Sequence, residues 1–180
     1  MPSTMQFQRA TRKKSRLRLA VAGPAGSGKT TAALQIATGL GGRIAVIDTE
    51  NESASLYSDA FDFDTLNLAM PYTPERYIEA IHAAEVAGYD IIVIDSVTHE
   101  WMGSGGCNEA NELLAQTRYR GNTWSAWSET KPRHRLFLDA IVQSRAHVIC
   151  SCRSKTETVQ GDDKKVRKIG MKLEQDSTFE

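Results

Sequence analysis

Short apolar runs alternate along the chain with longer segments whose apolar positions recur every three or four residues. Leu17 to Ala22 (LRLAVA) is a strand-length run, and a glycine-rich turn separates it from a helical segment, Thr30 to Leu40, that ends at Gly41-Gly42. Glycine commonly follows a helix C-terminus. Ile44 to Ile47 and Leu66 to Ala69 are two further strand-length runs. Thr73-Pro74-Glu75 opens a helix with a capping hydroxyl, a proline at the first position and an acid in the first turn. Ile78, Ile81 and Ala84 share one face of that helix, and Gly88 ends it. Asp90 to Ile94 is continuously apolar after its first residue, as in a parallel strand buried on both faces. Pro132 to Arg145 is expected as a helix with Leu136, Phe137, Ala140 and Ile141 facing inward, followed by a strand from His147 to Cys152. Strands alternating with helices predict an α/β fold: a mostly parallel, twisted sheet with helices on both faces and right-handed crossovers. The least regular segments, 99–112 and 154–168, are expected as loops, the elements that carry function at the carboxyl ends of such strands.

At 180 residues the chain suits one domain, and its 41% apolar and 24% charged composition suits a packed core rather than disorder. We expect a basic arm over 1–15, a core over 16–175 and a tail over 176–180. No apolar run approaches membrane-helix length and no signal-peptide core is present, which points to a cytoplasmic protein without a membrane partner. Cys107, Cys150 and Cys152 form no CxxC pair; Cys150 and Cys152 lie in an apolar run and read as reduced, buried thiols. Charge is balanced at 22 basic and 22 acidic residues but unevenly placed. Arg9 to Arg18 is a basic stretch, positions 48–64 are acidic, and Arg153 to Lys172 is basic again, a pattern of local anion-binding faces.

The chemistry concentrates in Gly23-Pro24-Ala25-Gly26-Ser27-Gly28-Lys29-Thr30, a GxxxxGKT loop between a strand and a helix, with Thr31 next in line. That context marks a P-loop: its backbone N–H groups cradle phosphates, Lys29 reaches the β- and γ-phosphates, and the Thr30 hydroxyl ligates Mg²⁺. Asp95, after four apolar strand residues, is the second candidate metal residue. A third acid is needed to orient a water. Glu50, just past the second strand, is the better candidate base, with Asp48 packed closer to the sheet. This reading expects the second strand to lie beside the P-loop strand.

Together these residues resemble the RecA-like ATPases, and more closely a group of small phage-encoded RecA-like ATPases of single-strand annealing and recombination. The shared segments are FQRATRKKSRLRLAVAGPAGSGKT, IDTENESASLY, DIIVIDSVTHEW, TWSAW, HVICSCRSKTE and KVRKIGMK, spread over about Phe7 to Gln175. The resemblance implies an ATP- and Mg²⁺-dependent ATPase with Glu50 as its base. Such proteins usually continue past KIGMK, so one or two late strands of the sheet are expected to be absent. No glutamine stands where RecA has its nucleotide-sensing one; Arg153 is expected to do that work instead, by binding the γ-phosphate or the metal shell.

The resemblance also implies single-stranded DNA as partner, held by loops after the Asp95 strand and the His147–Cys152 strand. Trp101, Lys155, Lys164, Lys165, Arg167 and Lys168 are the candidate contacts, basic groups on phosphates with an aromatic platform. Trp124 and Trp127 read as packing aromatics; His82, His134 and His147 read as structural. Phe7-Gln8-Arg9-Ala10 fits the FxxA pattern by which related recombinases add a strand to a neighbour, so rings or filaments are expected, with Phe7 and Ala10 as anchors. Lys168 or Lys172 would then supply a cation to the neighbour's ATP. A phage single-strand binding protein is a further implied partner. The alternatives are an ATP-gated assembly protein with little turnover and a P-loop nucleotide kinase.

Overall fold

The computed structural model describes residue 9 and residues 15–160 and 166–179, excepting the side chains of 157–160 and 166–169. In chain order the elements are β1 (Arg18–Gly23), α1 (Lys29–Leu40), β2 (Ile44–Asp48), a 3₁₀ turn (Ser53–Tyr57) and β3 (Asp64–Asn67). They continue with α2 (Pro74–Val86), β4 (Ile91–Asp95), α3 (Thr98–Met102), α4 (Cys107–Arg118), α5 (Thr123–Gln143), β5 (His147–Gln160), β6 (Val166–Leu173) and a 3₁₀ turn (Ser177–Phe179).

The sheet runs β1-β5-β4-β2-β3, all parallel, with β6 antiparallel on the distal half of β5. Every residue of β2 and β4 is buried, as their unbroken apolar runs require. Alternate residues divide the core. Ala45, Ile47, Ile92, Ile94 and Val148 face α2 and α5, where Tyr77 meets Phe137 at 5.2 Å. Ile44, Val46, Ile91, Val93 and Ile149 face Ala33, Leu34 and Ala37 of α1. Helices thus cover both faces, and the fold is that of an α/β P-loop nucleoside triphosphatase.

One expectation fails in a way that matters. β2 does not lie beside β1; β5 and β4 intervene, in the order β1-β5-β4-β2. Residue spacing carries no information on which parallel strand inserts between two others.

Four element boundaries also differ. The segment 99–112 is helical apart from its glycine-containing link, because Cys107, Asn111 and Ala115 bury one face of α4 at four-residue spacing, a stripe too small and polar to register as hydrophobic. The segment 154–168 is no simple loop: β5 runs on to Gln160 and β6 returns along it. Helix α5 begins at Thr123, not Pro132, with the Asn122 side chain accepting from Ser125 N at 3.1 Å. Pro132 sits inside it, where it forfeits one main-chain hydrogen bond. The face formed by Ala126, Thr130, His134, Phe137 and Ile141 is buried on both sides of the proline, while Leu136 turns to solvent. β3 covers Asp64–Asn67, an exposed edge two residues earlier than expected, and Thr73 makes no side-chain cap on α2. Among the described residues, no helix is long and apolar enough to cross a membrane.

Candidate active site

The carboxyl ends of β1, β5, β4 and β2 converge on one surface. Gly23 ends β1, and the loop Pro24, Ala25, Gly26, Ser27, Gly28 then stands open to solvent. Gly26 and Gly28 hold φ of 74° and 81°, a region where a side chain is strained. Gly28 is the N-cap of α1 and offers no side chain to its own helix, so the first N–H groups of Lys29, Thr30 and Thr31 point into the loop uncapped. Lys29 Nζ donates to Pro24 O at 2.9 Å, folded over the cradle it would serve.

Thr30 Oγ1 donates to Asp95 Oδ2 at 2.5 Å, bringing together the two residues expected to hold a divalent cation. Asp95 is 2% exposed, and its other oxygen accepts from Ser151 of β5. Strand order makes this possible. β5 lies between β1 and β4, so Ser151 reaches Asp95 from the adjoining strand. Two hydroxyls and a carboxylate at one point are hard oxygen donors, the set Mg²⁺ prefers. The Asp95–Ser96 peptide is cis.

The second strand contributes its two acids differently. Asp48 is fully buried and accepts from Glu50 N at 2.6 Å and Ala54 N at 2.8 Å. Burial pushes its carboxyl up, against the lowering effect of those two amides. Asp48 therefore shapes the turn that projects Glu50. Glu50 Oε1 accepts from Ser96 Oγ at 3.0 Å and from Arg153 Nε at 3.0 Å, and the second guanidinium nitrogen bonds Oε2. Arg153 lies opposite Gly23 in the β1–β5 register, so its backbone adjoins the start of the P-loop while its guanidinium holds the candidate base.

Under this layer, Thr49 stitches β2 to β4. Its N–H donates to Asp95 O at 2.8 Å, and its hydroxyl accepts from Ser96 N at 2.9 Å and meets His99 Nδ1 at 2.8 Å. Tyr77, whose phenol burial pushes up, donates to Ser96 O at 3.0 Å. The Arg153 backbone N–H donates to Thr98 Oγ1 at 2.8 Å.

These contacts bring Thr30, Asp95, Glu50 and Arg153 together through Ser96, which follows Asp95, and Lys29 precedes Thr30 in the P-loop. Residue spacing missed Ser151, Ser96 and Thr49. A signal for Ser151 existed: it is the one hydroxyl in the apolar run HVICSC.

Compared with known protein families, residues 15–179 match the one described as AAA domain. The chain belongs to that family. Membership supports a nucleotide-dependent ATPase in general, and AAA ATPases generally bind ATP with Mg²⁺. No curated protein matches the chain.

The remaining candidates of this AAA domain scatter. Trp101 stacks on Trp127 at 5.2 Å, whereas Trp124 stands 86% exposed, so the packing role expected of both Trp124 and Trp127 holds for Trp127 alone. Lys155 and Lys172 are exposed and opposite each other across β5 and β6. Arg167 and Lys168 lie on β6, opposite Val159 and Thr158. Phe7, Ala10, Lys164 and Lys165 lie outside the described residues. Cys107, Cys150 and Cys152 are all buried free thiols.

Proposed function

We propose that this AAA domain is a RecA-like, Mg²⁺-dependent ATPase that works on single-stranded DNA, of the type used in phage recombination and annealing. The observation that carries the hydrolase reading is Glu50. It is a third acid, separate from the Thr30–Asp95 pair, held by Ser96, which adjoins Asp95, and by Arg153, whose strand position pairs with Gly23 of the P-loop. A nucleotide kinase needs no such acid beside the γ-phosphate.

Mg²⁺, held by Thr30 and Asp95, would supply charge neutralisation on the β- and γ-phosphate oxygens. Lys29 leaves Pro24 O and binds the same oxygens. Glu50 takes a proton from the attacking water as its oxygen bonds to the γ-phosphorus and the bond to the β,γ-bridging oxygen breaks. For that to happen Arg153 must release Glu50, and the γ-phosphate is the anion that competes for the guanidinium. Arg153 then stabilises the charge on the transferred group.

Two features support the partners. Lys155 and Lys172 stand exposed at paired positions of β5 and β6, and Arg167 and Lys168 on β6 add to the basic composition of the hairpin, as suits contact with phosphates. The exposed edge of β3 borders an apolar cavity of about 230 Å³ lined by Leu66, Ala80, Ala83, Ala84 and Ala87. That cavity fits an aromatic anchor such as Phe7 of a second copy, with the intervening backbone pairing along the edge.

One observation favours a second reading. Glu50 is fully engaged by Arg153, as suits an ATP-gated assembly protein with little turnover. Phosphate release measured with and without single-stranded DNA separates the two. Stimulation by DNA supports the ATPase. ATP-dependent light scattering without turnover supports the assembly protein, and phosphate transfer to a nucleotide acceptor would overturn both.

A further inference from the structure

A second cluster of reactive side chains lies behind the nucleotide site and takes no part in it. Glu100 of α3, Cys107 at the start of α4 and His134 of α5 converge in the interior, with exposures of 0%, 0% and 2%. Their ligand-type atoms all lie within 4.8 Å of one another. We propose that Glu100, Cys107 and His134 form a structural zinc site that locks the three helices behind the Asp95 strand. The proposal stands apart from the ATPase reading.

The donor set is the first argument. A carboxylate oxygen, a thiol sulfur and an imidazole nitrogen together are the ligands that zinc accepts and that Mg²⁺ or Ca²⁺ does not. Geometry is the second. Zinc bonds of ~2.0–2.3 Å at tetrahedral angles place ligand atoms about 3.3–3.6 Å apart. In the structure Cys107 Sγ donates to Glu100 Oε1 at 3.1 Å, and His134 Nδ1 lies 3.0 Å from the same oxygen and 3.1 Å from Oε2. Two edges of the tetrahedron are therefore nearly the required length, and the third, within 4.8 Å, needs a contraction of at most about 1.3 Å.

Charge is the third argument. A carboxylate buried this deeply needs a cation. A divalent ion with one carboxylate, one thiolate and one neutral imidazole sums to zero, which suits a dry interior. The fourth position falls to water, beside Gln175, whose amide donates to Val97 O at 2.8 Å and lies 3.4 Å from Glu100 Oε2.

The three helices so joined explain what the site would do. α3 follows Asp95 and Ser96 directly, and α5 packs on the sheet through Phe137. Zinc would fix the helices on which Trp101 and Trp127 stack.

The test uses Co²⁺ as the probe. The full chain is unfolded with chelator, refolded with one equivalent of Co²⁺ and scanned in the ultraviolet and visible. We expect a thiolate-to-cobalt charge-transfer band with intense tetrahedral d–d bands, both displaced by Zn²⁺. Tryptophan fluorescence should change on binding, since the Trp101 ring lies 5.0 Å from His134. The Thr30–Asp95 site offers only oxygen and gives no such band. Cys107→Ser should remove the band and weaken Co²⁺ at least ~10-fold, since even residues that merely orient a ligand cost that much. His134→Gln, which keeps the thiol, should retain a band but weaken binding by a similar factor. A spectrum of hexa-aqua type, or a band that persists in Cys107→Ser, overturns the proposal and leaves a hydrogen-bonded strut.

Discussion

The pairing of Glu50 with Arg153 yields a test in which the sign of the effect decides. The pair is bidentate, and its side chains are 20% and 38% exposed. Charge-assisted hydrogen bonds contribute about 1.5–3 kcal/mol when shielded, but solvent on the guanidinium screens this one toward ~1 kcal/mol. Removing either partner should therefore lower Tm by only about 2–4 °C for a domain of this size. The kinetic effects should be far larger. Glu50→Gln keeps the shape and the Ser96 contact but loses the proton acceptor, and kcat should fall about 10²–10⁴-fold, or ~3–5 kcal/mol of barrier. Arg153→Ala separates two roles. If the guanidinium moves to the γ-phosphate, its loss should cut kcat by about 10³ or more, despite freeing the base. If it only clamps Glu50, kcat should rise. Single-turnover phosphate release, alongside binding of a fluorescent ATP analogue and thermal melts, reads all three quantities. Parental turnover in Glu50→Gln would place the base elsewhere, and faster turnover in Arg153→Ala would refute the transfer of Arg153 to phosphate.

Three further outcomes follow from the same geometry. Lys29→Ala should abolish hydrolysis and weaken ATP binding, because Lys29 is the residue of the loop that brings a positive side chain to the β,γ-phosphates; unchanged turnover in the purified variant would remove the ATPase reading. Changing Lys164, Lys165, Arg167 and Lys168 together to alanine should lower the slope of log affinity for single-stranded DNA against log salt by about 0.7 for each phosphate no longer neutralised, and an unaltered slope would assign the cluster to plain surface. His147 makes stability depend on pH. Leu17 N–H donates to its Nδ1 at 2.9 Å, which needs the neutral ring, and burial followed by Arg16 and Arg18 lowers its pKa. The folded value thus lies below the unfolded ~6.5, so this contribution is whole above about pH 6.5 and is lost as pH falls through the folded value. Since solvent reaches the ring, the loss should stay under about 1 kcal/mol. Thermal melts from pH 7.5 to 5 should show a shallower decline for His147→Gln than for the parent, and parallel curves would contradict the assignment.

Much of this protein is legible in its residues because the decisive features are local. A strand, the loop Gly23 to Thr30 and a helix lie within one contiguous stretch, and the glycines at 26 and 28 are demanded by backbone angles that other residues resist. The continuous apolar runs of β2 and β4 declared strands buried on both faces. Asp95 follows such a run, so its place at the sheet's carboxyl end came with it.

What only the tertiary structure decided is long-range. Strand order put β5 between β1 and β4, which delivered Ser151 to Asp95 and Arg153 to Glu50, residues 56 and 103 positions apart. Local spacing cannot encode that insertion, since every parallel crossover looks alike along the chain. The helices α3 and α4 were hidden for a different reason: their buried faces carry Thr98, Glu100, Cys107 and Asn111, polar or small groups whose burial makes sense only when partners from other helices satisfy them. The same is true of Glu100, Cys107 and His134, which carry no shared pattern along the chain and become one cluster because three helices bring them within hydrogen-bonding reach.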